Sequence, residues 1–175
     1  QPNPYTETSI VYQYNEQGFR SDSFAASSDM RCVFLGCSIS EGIGLPLAET
    51  WCYQTVERIR QLTGQTVAYW NLSMAGCGVD SLLRQYYHWA DTLKPHYVFA
   101  LFPGYRREFY IDDSWQIAYP MSPNNILQHN PILLDKTTIQ YELEKNLAMF
   151  DLLLAKYETQ LIWDTWDDVV FPNVS

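Results

Sequence analysis

Gly36-Cys37-Ser38 follows directly on the apolar run Arg31-Cys32-Val33-Phe34-Leu35 and opens a loop of small residues that continues to Gly44. A serine just past a buried strand, in a tight turn, presents its hydroxyl outward. Backbone N–H groups of the same turn can point at a developing oxyanion. That is the chemistry of acyl transfer, in which a hydroxyl attacks a carbonyl and amide donors receive the charge. Gly76 sits in a second loop, Ser73 to Gly78, and lets backbone approach the same point closely. Glycines and serines at strand ends are also ordinary turn residues, so spacing alone leaves both readings open.

These loops need a scaffold, and the hydrophobic pattern supplies one. Strands are expected at 31–36, 66–72, 96–102 and 160–164, each a short apolar run bounded by turn residues. Helical spacing runs from about Leu47 to Leu62 on Trp51, Thr55, Ile59 and Leu62, with Gly64 closing it. A second helix starts from a cap at Asp80 or Ser81 and carries Leu82, Leu83, Tyr86 and Trp89 as far as about Thr92, before Lys94-Pro95. A third runs from about Ile139 to Tyr157 on Leu143, Leu147, Phe150 and Leu154. Alternation of this kind means right-handed crossovers and a mostly parallel sheet between helical layers. Residues 1–30 read as an N-terminal arm and 31–175 as one domain, with an insertion at about 105–138. In such sheets ligands bind beyond the carboxyl ends of the strands, which selects the loops at 37–44, 73–78 and 103–110.

The residues in those loops resemble a known family. Phe34-Leu35-Gly36-Cys37-Ser38-Ile39-Ser40-Glu41-Gly42, Glu49-Thr50-Trp51 and Asn71-Leu72-Ser73-Met74-Ala75-Gly76 are similar to the SGNH, or GDSL-type, hydrolase superfamily. The stretch Asn15 to Arg20 is similar to an Asn-x-x-Gly-Phe-Arg lead-in of many bacterial and phage members. The Gly-Cys-Ser form of the first block resembles members from marine bacteria and their viruses. The resemblance covers roughly residues 14–110. It implies a three-layer, flavodoxin-like α/β/α fold, with the 31–36 strand lying between those at 66–72 and 96–102, and hydrolysis of esters, often acetyl groups on carbohydrate. Carried over residue by residue, Ser38 matches the nucleophile. Its own N–H and that of Gly76 match two oxyanion donors, and Cys37 stands where the family has Asp. Ser38 and Gly76 are expected to face each other across a shallow cleft.

Two blocks depart from the family pattern. The third should read Gly-x-Asn-Asp, but the chain has Pro103-Gly104-Tyr105-Arg106. Arg106 or Arg107 can supply a cationic donor instead, or can be surface residues paired with Glu108 and Asp112. The last block should read Asp-x-x-His and supply the base. Asp164 to Asp168 reads Asp-Thr-Trp-Asp-Asp, with no His after it. Of the histidines, His88 falls on a helix and His96 at the wrong end of a strand. His129, in the insertion, is the one expected to reach Ser38. Either the base lies beyond Ser175, so that the fold lacks its last segment, or the chain is a catalytically silent module used for binding or as a structural part, such as a virion component.

Composition narrows the partners. The 175 residues carry 11 Lys and Arg against 20 Asp and Glu, a net charge of −9. So acidic a surface argues against nucleic acid and against anionic membranes as partners. Acylated small molecules or polysaccharides, and other protein subunits, remain as partners. Hydrophobic residues make up 47% and charged residues 18%, which argues for a folded, soluble chain. No run is long enough to span a bilayer, and Gln1-Pro2-Asn3-Pro4 opens no signal peptide. Cytoplasm and virion both stay open as locations. No cofactor motif is present. Cys32, Cys37, Cys52 and Cys77 form no CxxC pair, so no metal is expected. Cys37 and Cys77 end adjacent strands, so their side chains are expected near one another, and a disulfide between them is permitted but not required. The acidic groups at Asp112-Asp113 and Asp164 to Asp168 lack an EF-hand spacing and read as solvated loops.

Overall fold

Met30–Leu35 forms β1, the centre of the sheet, and is enclosed from Cys32 onward. The computed structural model describes residues 9–103, 109–111, 117–120 and 136–165. β1 pairs in parallel with β2 (Val67–Asn71) on one side, in register from Met30↔Val67 to Phe34↔Asn71. On the other side it pairs in parallel with β3 (Tyr97–Phe102), from Cys32↔Tyr97 to Leu35↔Ala100. The strand Gln160–Thr165 adds in parallel beyond β3, so that among the described residues the sheet has four parallel strands with β1 inside, as expected.

Both faces of β1 are buried because period-2 alternation sends its side chains to two cores. Val33 and Leu35 join Trp70, Tyr86, Phe102 and Phe150 on one face, while Cys32 and Phe34 join Cys52, Val56 and Tyr69 on the other. The second face is covered by α2 (Trp51–Thr63). The first is covered by α3 (Val79–Leu93) and α4 (Lys136–Lys156). Tyr86 of α3 stacks on Phe150 of α4 at 5.3 Å between centroids. Side chains of this size contribute roughly 1.5–3 kcal/mol each when fully buried.

The helix boundaries and faces differ in part from expectation. Leu47–Glu49 is a separate 3-10 turn, and Thr50 then caps α2, its Oγ1 accepting the Tyr53 N–H at 3.4 Å. The buried stripe of α2 is Cys52 and Val56, while Leu62 is 68% exposed. α3 is capped by Gly78, not by the side chain of Asp80 or Ser81, which lie within its first turn. Within the segment read as an insertion, Phe109–Ile111 (β4) and Ile117–Pro120 (β5) pair as an antiparallel hairpin. The parallel strand Gln160–Thr165 is therefore β6. On the α2 face beside β3 and β6 lies a groove of about 650 Å³ lined by Trp51, Ile59, Tyr97, Phe99 and Ile162 among others. Among the described residues no helix is long and apolar enough to cross a membrane.

Candidate active site

The carboxyl end of β1 turns through Gly36 and Cys37 into α1 (Ser38–Glu41), a single helical turn with Ser38 as its first residue. A β-carbon at Gly36 would collide with the Ser40 hydroxyl and come within 3.3 Å of the Leu101 carbonyl oxygen, so only glycine fits this approach. The turn is closed by the Glu41 N–H on Cys37 O at 2.9 Å and the Gly42 N–H on Ser38 O at 3.1 Å. Ser38 is half-buried, and among the described residues its hydroxyl meets only Cys37 Sγ, at 4.0 Å. As a first-turn residue its N–H has no acceptor within the helix, and none among the described residues elsewhere.

The loop after β2 is tied to this turn at several points. Asn71 is 1% exposed, and its Nδ2 donates to Ser40 O at 2.7 Å while its Oδ1 accepts the Ser73 N–H at 3.1 Å. The Met74 N–H donates to Gly36 O at 3.2 Å, and the Ala75 N–H donates to Glu41 Oε2 at 2.6 Å. The Cys77 N–H returns to Met74 O at 3.2 Å, closing a turn around Gly76, whose φ of +81° is the left-handed region that favours glycine. The Gly76 N–H, like that of Ser38, donates to no acceptor among the described residues.

The four cysteines are free thiols, so Cys37 and Cys77 are not bridged. Burial pushes the Cys77 thiol up to about 12, with the carboxylates of Asp80 and Glu41 adding negative charge nearby. The described histidines stand apart from Ser38. His88 is exposed on α3 with its ring edge on Trp89. His96 precedes β3 at the amino end of the sheet, where its Nδ1 accepts the Arg31 N–H at 3.1 Å. His129, Arg106 and Arg107 lie outside the described residues, as does most of the 103–110 loop. Glu41 and Asn71 were not singled out by motif reasoning as residues that hold the site together. Their signal is present only as position, one three residues after Ser38 and the other at the end of a strand.

No protein-family model matches the chain, and no curated protein matches it. Solved structures do. TesA is similar with a TM-score of 0.52 and 16% identity, over 77% of this chain and 59% of that one. An esterase, EstA, from Pseudoalteromonas sp. is similar with a TM-score of 0.49 and 14% identity, over 77% and 58%. A protein described as a GDSL-like lipase from Parabacteroides merdae gives 0.46 and 16%, over 80% and 61%. The chain thus spans less than two thirds of the length of each. The likeness to TesA shows the fold, a four-stranded parallel sheet flanked by helices.

Proposed function

We propose that this chain is an SGNH-type ester hydrolase unit, with Ser38 as nucleophile, acting on an acylated small molecule or on acyl groups of a polysaccharide. The observation that carries the reading is a pair of N–H groups, at Ser38 and Gly76, that donate to no acceptor among the described residues and lie on two loops tied together by hydrogen bonds. Ser38 Oγ attacks the ester carbonyl carbon and its proton passes to a base. The carbonyl oxygen takes the charge and is received by the two N–H groups. The alcohol leaves with the proton held by that base, and water then releases the acid from the acyl-serine ester. Arg106 or Arg107 would serve as a cationic donor in place of the family's Asn. His129 would serve as the base.

One observation favours a second reading. Among the described residues the Ser38 hydroxyl meets no base, and His88 and His96 are held elsewhere. On that reading the chain is a catalytically silent module that binds other subunits or forms part of a structure such as a virion. Hydrolysis of p-nitrophenyl acetate separates the two. The expected result is slow turnover above the buffer rate that disappears in Ser38→Ala. A further fall of about 10²-fold or more in His129→Ala identifies the base. Equal, buffer-level rates for the chain and for Ser38→Ala would overturn ester hydrolysis by residues 1–175 alone, leaving the silent module or a base supplied from beyond Ser175.

A further inference from the structure

The Asn15 to Arg20 stretch of the N-terminal arm has no part in the chemistry above, yet it ends against the nucleophile turn. We propose that Arg20 is a positioning residue for Ser38. Its buried guanidinium holds the carbonyl end of the Ser38 turn and so fixes the N–H and hydroxyl at the other end. The inference rests on the reading of Ser38 as nucleophile.

Arg20 is 3% exposed. Its Nη1 donates to Gly42 O at 2.8 Å and lies 3.4 Å from Glu41 O, and its Nη2 donates to Leu45 O at 2.8 Å. Among the described residues it has no carboxylate partner. A buried charge is costly unless it is well hydrogen-bonded, and here backbone carbonyls of the 41–45 segment do that work. The planar fork reaches two carbonyls three residues apart, which a single ammonium cannot do. A one-turn helix has no stability of its own, so what grips its ends decides where Ser38 points.

The rest of the motif delivers the guanidinium. Asn15 Oδ1 accepts the N–H groups of Gln17 at 3.1 Å and Phe19 at 2.9 Å, folding the arm into a turn. Gly18 takes the left-handed φ of +82° that this turn needs. Phe19 anchors it in the core, 5.6 Å from Phe24 and 6.2 Å from Trp89 between ring centroids. Arg20 then passes under Gly42, where a β-carbon would come within 3.0 Å of Nη1 and collide with Thr50 Cγ2. The Tyr12 ring covers the guanidinium at 4.5 Å, and its hydroxyl accepts the Gly44 N–H at 2.7 Å. Asn, Gly, Phe and Arg each have a distinct task, and all converge on the segment that follows Ser38.

The test compares the full chain with Arg20→Lys, Tyr12→Phe and Ser38→Ala by amide exchange and by titration with methylboronic acid. The boronic acid forms an O–B bond with the Ser38 hydroxyl, whose proton goes to buffer. The resulting boronate oxygen probes the Ser38 and Gly76 N–H groups. Binding is expected in the full chain and absent in Ser38→Ala. Arg20→Lys should weaken it by about tenfold or more, since small misplacements at such a site are expensive. Exchange should speed up at residues 38–45 in Arg20→Lys while β1 to β3 stay protected, with a smaller change in Tyr12→Phe. Methylguanidinium added to a folded Arg20→Ala should restore part of the affinity, which a loss of packing alone would not permit. A folded Arg20→Lys with unchanged exchange at 38–45 and unchanged boronate affinity overturns the proposal, as does a lowered melting temperature with unchanged affinity. Equal boronate binding by the chain and Ser38→Ala overturns the nucleophile reading instead, and the exchange data then judge Arg20 by themselves.

Discussion

Glu41 Oε2 accepts the Ala75 N–H at 2.6 Å, joining the last residue of the Ser38 turn to the residue before Gly76. The two candidate oxyanion donors therefore sit on loops whose separation is set by one charged hydrogen bond and by two neutral ones, from Met74 to Gly36 and from Asn71 to Ser40.

Removing the charged bond should affect function more than stability. Ala75 is exposed, so in Glu41→Ala water can take over its N–H, and the cost should be about 1 kcal/mol. Glu41→Gln keeps an acceptor and should cost less. In both, exchange of the Met74 and Ala75 amides should accelerate and Ser38-dependent hydrolysis should fall by about tenfold. Urea melts and amide exchange read the two effects separately. A loss of stability of several kcal/mol with unaltered exchange at these amides would contradict the clamp.

Gly36→Ala tests the close approach beneath Ser38. The new β-carbon would lie 2.6 Å from Ser40 Cβ. Ser40 has little room to yield. Its carbonyl accepts from Asn71 Nδ2 and Cys52 Sγ, and its hydroxyl accepts from Trp51 Nε1. Overpacking should destabilise by about 1–3 kcal/mol. Ser40→Gly combined with Gly36→Ala should recover part of that loss, and urea midpoints that show no recovery would place the strain elsewhere.

How much of this was legible beforehand depends on the range of the interaction. β1 and β2 could be read from their apolar runs because strands buried on both faces carry no polar alternation. The Ser38 turn could be read because Gly36 and Gly42 are demanded locally. The face of α2 could not: Thr55 and Leu62 keep helical spacing, but the sheet selects Cys52 and Val56. Nor could the cap of α3, where Gly78 takes the extended backbone and leaves Asp80 and Ser81 inside the helix. β4 and β5 are too short to show a period. The Glu41–Ala75 and Arg20–Gly42 contacts join residues 34 and 22 positions apart, which no local pattern encodes.

Cys32, Cys52 and Cys77 should behave as inert core residues. Burial pushes the thiols of Cys32 and Cys77 up to about 12 and that of Cys52 well above its ordinary value. Each is therefore the neutral thiol at about pH 8, and a thiol without its thiolate is a poor nucleophile. Iodoacetamide should add slowly at these positions in the native chain and rapidly in denaturant, counted by peptide mass spectrometry. Rapid native labelling of Cys32 or Cys77 would contradict their enclosure.

His96 should make stability depend on pH through an ordinary histidine range. Burial, and after it the Arg31 guanidinium, holds its pKa below the ordinary value of 6.5. The geometry agrees: Nδ1 accepts the Arg31 N–H at 3.1 Å and Nε2 lies 2.9 Å from Arg31 Nη2, so a protonated ring would turn both its N–H groups toward donors. The unfolded chain binds a proton at 6.5 that the folded chain refuses, so stability rises with pH across this interval. The contribution is complete above 6.5 and is lost as pH falls through that value toward the lower, folded one. Asp29 and Glu16, held down by hydrogen bonds from Thr66 and Ser23, act in a more acidic range, below 3.8 and 4.5. Urea midpoints measured between about pH 7.5 and pH 5.5 should therefore fall on the acid side in the native sequence and fall less in His96→Gln, whose side chain has no proton to gain. A slope that survives unchanged in His96→Gln would assign the effect to another group.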